Sequence, residues 1–246
     1  MRVALAAVSL GLGAVYVGFG VLIAADLLRV RRTGAVPHFG RALLGIAWTC
    51  GPHHLEHGAH LALAGRPAGP VELLTVAAGL PTGLVWLYLR LEAMAGGRGD
   101  RFVAGTPTWL RLGPPALVAY SVVVTAGLVA AVRPGATLAP GLAANLWLAG
   151  LYWAIAWYVL RGQLAYREAT GGWSLSGLTL MGIFASCAYM HLAWLAYAAR
   201  GTYDLDPHGL VIDWLGIPAG LYFLWVVREM FLAGARRWAP RAAGRA

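Results

Sequence analysis

Apolar positions run along this chain in long unbroken stretches, and polar positions are confined to the gaps between them. A helix needs about 20 apolar residues to cross a hydrocarbon core of ~30 Å. Seven stretches reach that length, at roughly 4–28, 42–64, 71–91, 115–132, 141–160, 175–199 and 209–232. Most carry no polar stripe of the kind a helix on a water-facing surface shows. Turn-rich segments at 65–70, 96–115 and 200–209 punctuate the pattern. The pattern predicts one all-α domain over 1–246, a polytopic bundle of about seven transmembrane helices. Pro81 and Pro218 predict kinks in the third and seventh helices, and Pro52 a distortion in the second. The first stretch is too long for a signal-peptide core and ends in arginines without a small-residue cleavage site, so it reads as a helix.

Composition strengthens this reading. Of 246 residues 59% are hydrophobic and 12% charged, and the mean hydropathy is +0.65. Soluble domains carry about 25% charged residues. The lipid bilayer is therefore the expected partner and solvent. All 19 basic residues are arginine. With seven spans, Arg2, Arg66, Arg133 and Arg200 fall on one side and every other arginine on the other. The positive-inside rule then predicts an outer N-terminus and a cytoplasmic C-terminus, in a multi-pass protein of the plasma membrane. No basic stripe with an aromatic platform accompanies the arginines, which excludes nucleic acid as a partner. Without lysine, Schiff-base chemistry is excluded too.

The second stretch departs from the rest. It reads Cys50-Gly-Pro-His53-His54-Leu-Glu56-His57-Gly-Ala-His60, so five ionisable side chains fall within 53–60. Each costs a few kcal/mol within a span unless it faces the bundle interior. At about 100° per residue, with His53 at zero, His57 lies near about +40°, His60 near about −20° and Glu56 near about −60°. These four share one stripe. Cys50, at about +60°, flanks it, and His54, at about +100°, stands further off. The rise separates His53 from His60 by about 10.5 Å. One ion, bound about 2.0–2.1 Å from each nitrogen, cannot use every histidine. His53 with His57, or His57 with His60, could chelate one. The set implies two centres, or one centre with a polar path leading to it.

Depth adds partners. In the sixth stretch Cys187 lies near the middle, and His191 one turn further out is predicted level with His57. Asp213, in the seventh, is predicted level with His60. Asp204, Asp206 and His208 join from the outer loop. Taken singly, His38 and His208 read as loop residues, Asp213 as a cap, and Cys50 and Cys187 as small buried apolar residues. The cysteines do not form a disulfide framework. Asp26 and Glu229, near inner helix ends, are expected to pair with neighbouring arginines.

Four chemistries fit the cluster. In the first, His53, His57, His60 and His191 hold a transition metal, with His54, Asp213, Cys50 and Cys187 as further candidates. Imidazole, thiol and carboxylate suit copper, zinc or iron better than magnesium or calcium, and Glu56 is the candidate proton-transfer group. The second is haem b, held by His57 or His53 with His191. The third is a metal-dependent hydrolase, because His53-His54-Leu55-Glu56-His57 has the H-x-x-E-H order. The fourth is a metal-free transporter or proton relay through Glu56 and the imidazoles.

The segment His54-Leu-Glu-His57-Gly-Ala-His-Leu-Ala-Leu-Ala-Gly resembles the histidine-bearing helix of CtaG-type cytochrome c oxidase assembly proteins. The stretch from Asp204-Leu-Asp-Pro-His-Gly through Trp214 and Pro218 resembles the approach to their last helix. The order differs, since that family's histidine helix comes later in its chain. The resemblance implies outward-facing metal handling, with a membrane redox complex or a metal-receiving protein as partner.

Overall fold

The computed structural model describes residues 1–31, 37–64, 69–112, 115–116, 118–123, 126, 140–199 and 207–238. Six long helices dominate: α1 (Arg2–Arg31), α2 (His38–Leu63), α3 (Pro70–Met94), α5 (Pro140–Thr170), α6 (Leu175–Ala199) and α7 (Pro207–Trp238). A single-turn helix, α4 (Thr108–Arg111), lies between α3 and α5. Five of the long helices, all but α2, are long and apolar enough to cross a membrane. That is consistent with an integral membrane protein. The histidines and Glu56 depress the hydropathy of α2, which has the length but not the composition. Half of the fourth apolar stretch, 115–132, lies outside the described residues. Its helical part at 118–123 rests on α6, where the Tyr120 and Tyr189 rings are 4.7 Å apart.

Each long helix packs on the next in the order α1, α2, α7, α5, α6, α3 and back to α1, which closes a ring. Helices α2 and α6 stand on opposite sides and face each other across the interior. The ring keeps an apolar core, but it also gathers polar side chains inside and shows large apolar ones outside. Trp147, Trp157, Trp225 and Leu221 are exposed on its outside, while His53, His54, His57, Glu72, Asn145, His191 and Asp213 are buried within. At one end the interior is aromatic, with Phe184 stacked on Phe223 and Phe19 edge-on to Trp86.

Small residues let α1 and α2 approach closely. A Cβ on Gly58 would stand 3.0 Å from the Leu10 backbone nitrogen, and one on Gly13 would stand 2.8 Å from that of Leu55. Backbone cannot yield as a flexible side chain does. Gly58→Val is therefore expected to lower stability by about 1–3 kcal/mol, read as an earlier unfolding midpoint in detergent. Gly150→Ala is the control, because nothing lies within 4 Å of the added carbon.

Two details differ from the sequence expectation. Helix α5 continues past 160 to Thr170, since its apolar pattern ends there but its helix-forming residues do not. Gly171, at φ +76°, then caps it through a bond from its N–H to the Arg167 carbonyl. The loop after α3 also holds a strand, β1 (Phe102–Ala104), which pairs antiparallel with β2 (Gly172–Ser174). Asp100 ties this strand pair to α6 by accepting from the Ser174 hydroxyl at 2.7 Å and the Ser176 N–H at 2.8 Å. Pro52, Pro81 and Pro218 all lie inside uninterrupted helices. Asp26 and Glu229 pair with Arg29 and Arg228, as expected.

Candidate functional site

The histidine helix meets four neighbouring helices in the ring interior. His53 Nδ1 lies 2.8 Å from Asp213 Oδ1 on α7. A carboxylate only accepts hydrogen bonds, so a proton on Nδ1 is what answers it, and in a neutral ring of that tautomer Nε2 holds the lone pair. The second Asp213 oxygen accepts from Asn145 Nδ2 at 3.2 Å, and the same amide nitrogen donates to the Gly141 carbonyl at 2.9 Å. Both partners are acceptors, which fixes the amide orientation. Asn145 Oδ1 must then accept from His191 Nδ1, 2.7 Å away. One carboxylate thus orients two imidazoles, His53 directly and His191 through Asn145. Metal-binding histidines are held in this way, with the far nitrogen tied to a carboxylate or carbonyl and the near one free for the ion.

The free nitrogens border a small cavity. Its lining includes Cys50, His53 and His54 from α2, Cys187 and His191 from α6, and Asp213 from α7. Its volume is about 10 Å³, room for about one water or one bare ion. His53 Nε2 and His54 Nδ1 are buried there without a hydrogen-bond partner. Each such orphan costs about 1–3 kcal/mol. The His53 ring centroid lies 5.9 Å from that of His191 and 6.1 Å from that of His54. Two imidazoles on one ion stand about 5–6.5 Å apart, given bonds of about 2.0–2.1 Å. Among the described residues no three His, Cys, Asp or Glu side chains are closed on one point as a metal-holding group. Trp194 stacks on the His53 ring at 4.3 Å and meets the rings of His54, His57 and His191.

Thiols complete the wall. Cys50 Sγ is 3.1 Å from the Tyr152 hydroxyl, and Cys187 Sγ is 3.3 Å from that of Tyr16. Both cysteines are free and buried.

Further along α2 the polar groups pair off. His57 Nε2 lies 2.7 Å from Glu72 Oε1, which also accepts from the Trp194 indole at 3.3 Å. His60 Nδ1 lies 2.6 Å from Glu56 Oε1, at partly exposed positions. A series of histidine–carboxylate pairs therefore leads from the end of α2 to the cavity.

The structure brings His53, His54, His191, Cys50, Cys187 and Asp213 together. It does not bring His57, His60 or Glu56 to the cavity. Asp213 stands against His53, about two turns deeper than His60, because α7 begins beside Glu56: a Cβ on Gly209 would lie 3.2 Å from that carboxylate. His191 faces His53 rather than His57. His54, off the predicted stripe, is buried and turned inward, since a ring interior offers polar space over more than one face of α2. His38 is exposed and bonds the Tyr222 hydroxyl at 2.7 Å. Asp204, Asp206 and the side chain of His208 lie outside the described residues.

Sequence reading missed Glu72 and Asn145. Glu72 sits in the first turn of α3, where a carboxylate reads as a favourable helix-dipole charge. Its near-complete burial is the functional signal, and burial is not visible in sequence. Asn145 could have been flagged as an uncompensated amide in an apolar span.

Fold and site define a mainly helical bundle, five of its helices long and apolar enough to cross a membrane, around a buried cluster of histidine, carboxylate and thiol side chains. No known family, curated protein or solved structure matches the chain.

Proposed function

We propose that this protein binds one copper or zinc ion in the cavity between α2, α6 and α7. The reading rests on one observation above the others: His53 Nδ1 stands 2.8 Å from the Asp213 carboxylate while its Nε2 is buried without a hydrogen-bond partner, in a ring that lines a cavity shared with His54, His191 and two thiols. Buried imidazole and thiol together suit soft and borderline ions. His57 with Glu72 and His60 with Glu56 form the polar approach. The whole chain is read as a seven-helix bundle of the plasma membrane with its N-terminus outside. That orientation puts the approach in the outer half of the bilayer and supports metal handling or redox work there, with a metal-receiving protein or a membrane redox complex as partner. This is the role the resemblance to CtaG-type proteins implies.

The space between the rings favours an ion over a haem b macrocycle. Glu56 turns to His60 and away from the cavity, which disfavours the H-x-x-E-H hydrolase. One observation favours a second reading, a metal-free proton relay: the three histidine–carboxylate pairs form a series of proton-exchanging groups.

Elemental analysis and an optical spectrum of the purified full chain separate these readings. The expected result is about one copper or zinc per chain and no Soret band. The ion is expected to be lost on acidification, because ligand imidazoles must be neutral to bind. A protein that takes up neither metal, while its proton uptake still depends on His57 and Glu72, supports the relay instead.

A further inference from the structure

A second cavity lies at the other end of the bundle and owes nothing to the histidines. Its volume is about 280 Å³, near the lower end of small-molecule sites. The ends of α2, α3, α5, α6 and α7 enclose it, and it opens beside Met230, which is 54% exposed on the outer surface. Two kinds of lining meet there. Phe39, Trp86, Tyr158, Leu180, Val227 and Phe231 make an apolar wall. Arg90, Gln163, Ser174 and Ser176 make a polar end.

The polar end offers donors. Gln163 Oε1 already accepts from the Ser174 N–H at 3.1 Å, which leaves its NH₂ to donate. The Ser174 hydroxyl is engaged with Asp100. Both Asp100 oxygens are engaged, since Oδ1 also accepts from the N–H groups of Ser176 and Arg101. Arg90 is held over the Trp86 ring at 4.8 Å and donates one guanidinium nitrogen to the Gly99 carbonyl. Its Nε is buried without a hydrogen-bond partner. A ligand here must accept hydrogen bonds, carry negative charge against Arg90 and place alkyl carbon against the wall. It must also reach in from the outer surface, where the cavity opens.

We infer that this cavity binds one anionic phospholipid, its acidic headgroup on Arg90 and Gln163 and the first part of an acyl chain along the aromatic wall. The test is native mass spectrometry of the detergent-solubilised full chain, titrated with dioleoyl phosphatidylglycerol or with phosphatidylcholine of the same chains. A charge-assisted hydrogen bond is worth about a tenfold change in affinity or more. One phosphatidylglycerol is expected to bind at least about tenfold more tightly than phosphatidylcholine. Arg90→Gln is expected to erase that preference. Arg90 also braces the loop at Gly99, so a second variant guards against misfolding. Gly162 lines the cavity and has nothing within 4 Å of an added Cβ. Gly162→Leu should fill the space and abolish tight binding while metal content stays unchanged. Equal binding of both lipids overturns the inference. So does phosphatidylglycerol binding that survives both variants, displacement of the lipid by inorganic phosphate alone, or a quinone retained in its place.

Discussion

Alanine at His53 is expected to strip the ion from the purified protein, and alanine at His60 to leave it bound. The two histidines share a stripe of α2 in sequence, but the structure gives them different surroundings. His53 is 4% exposed, stacked on Trp194 and directed at the cavity. His60 is paired with Glu56 at a partly exposed position and does not line the cavity. Loss of a group that merely orients a metal ligand costs about 10–100-fold in affinity. Loss of His53 itself should cost more than that. Competition against a chelator of known affinity, with elemental analysis of the same samples, gives the number. Retention of the ion by His53→Ala at wild-type affinity would sink the proposed centre. Its loss from His60→Ala alone would move the centre to the end of α2.

Asp213→Ala is expected to be the most destabilising single change at the site. The carboxylate is 2% exposed and serves His53 and Asn145 at once, and through Asn145 it positions His191. Removing it leaves the buried His53 and Asn145 N–H groups without their acceptor, at about 1–3 kcal/mol each. Asp213→Asn behaves differently. Its amide oxygen can still accept from His53, so most of the fold stability should remain while ion affinity falls about 10–100-fold. The measurement is thermal unfolding in detergent after the ion has been stripped, so that ligand binding does not enter the comparison. An unchanged midpoint for stripped Asp213→Ala would mean that the carboxylate is not the organiser described here.

Much of the architecture was legible from the chain alone. Long apolar stretches mark helices wherever lipid is the solvent, because the backbone must satisfy itself within each span. The stretches match α1, α3, α5, α6 and α7 to within a few residues, except where α5 runs on to Thr170. The histidine helix was legible for the complementary reason: a cluster of ionisable groups inside an apolar run is costly and must have partners. Helical periodicity named His53 with Glu56, His57 and His60, and of these His53 alone lines the cavity. Depth matching named His191, Cys187 and Asp213, which line it too.

Periodicity could not say which partner each histidine takes. It describes angles about one axis, whereas partners come from other axes whose order around the ring is a tertiary property. Glu72 is the clearest case. In sequence it is a first-turn carboxylate of α3. In the ring it is buried against His57 and Trp194. Depth estimates also slipped, by about two turns for Asp213, so it meets His53 and not His60. The sequence by itself determined a helical, lipid-compatible chain with its chemistry concentrated on α2, because solvent preference is a property of each residue. Only the tertiary structure decided that His53, His191 and Asp213 form one centre and that His57 and His60 lead to it. Closing six helices into a ring, with α2 opposite α6, is what sets the distances between side chains far apart in the chain.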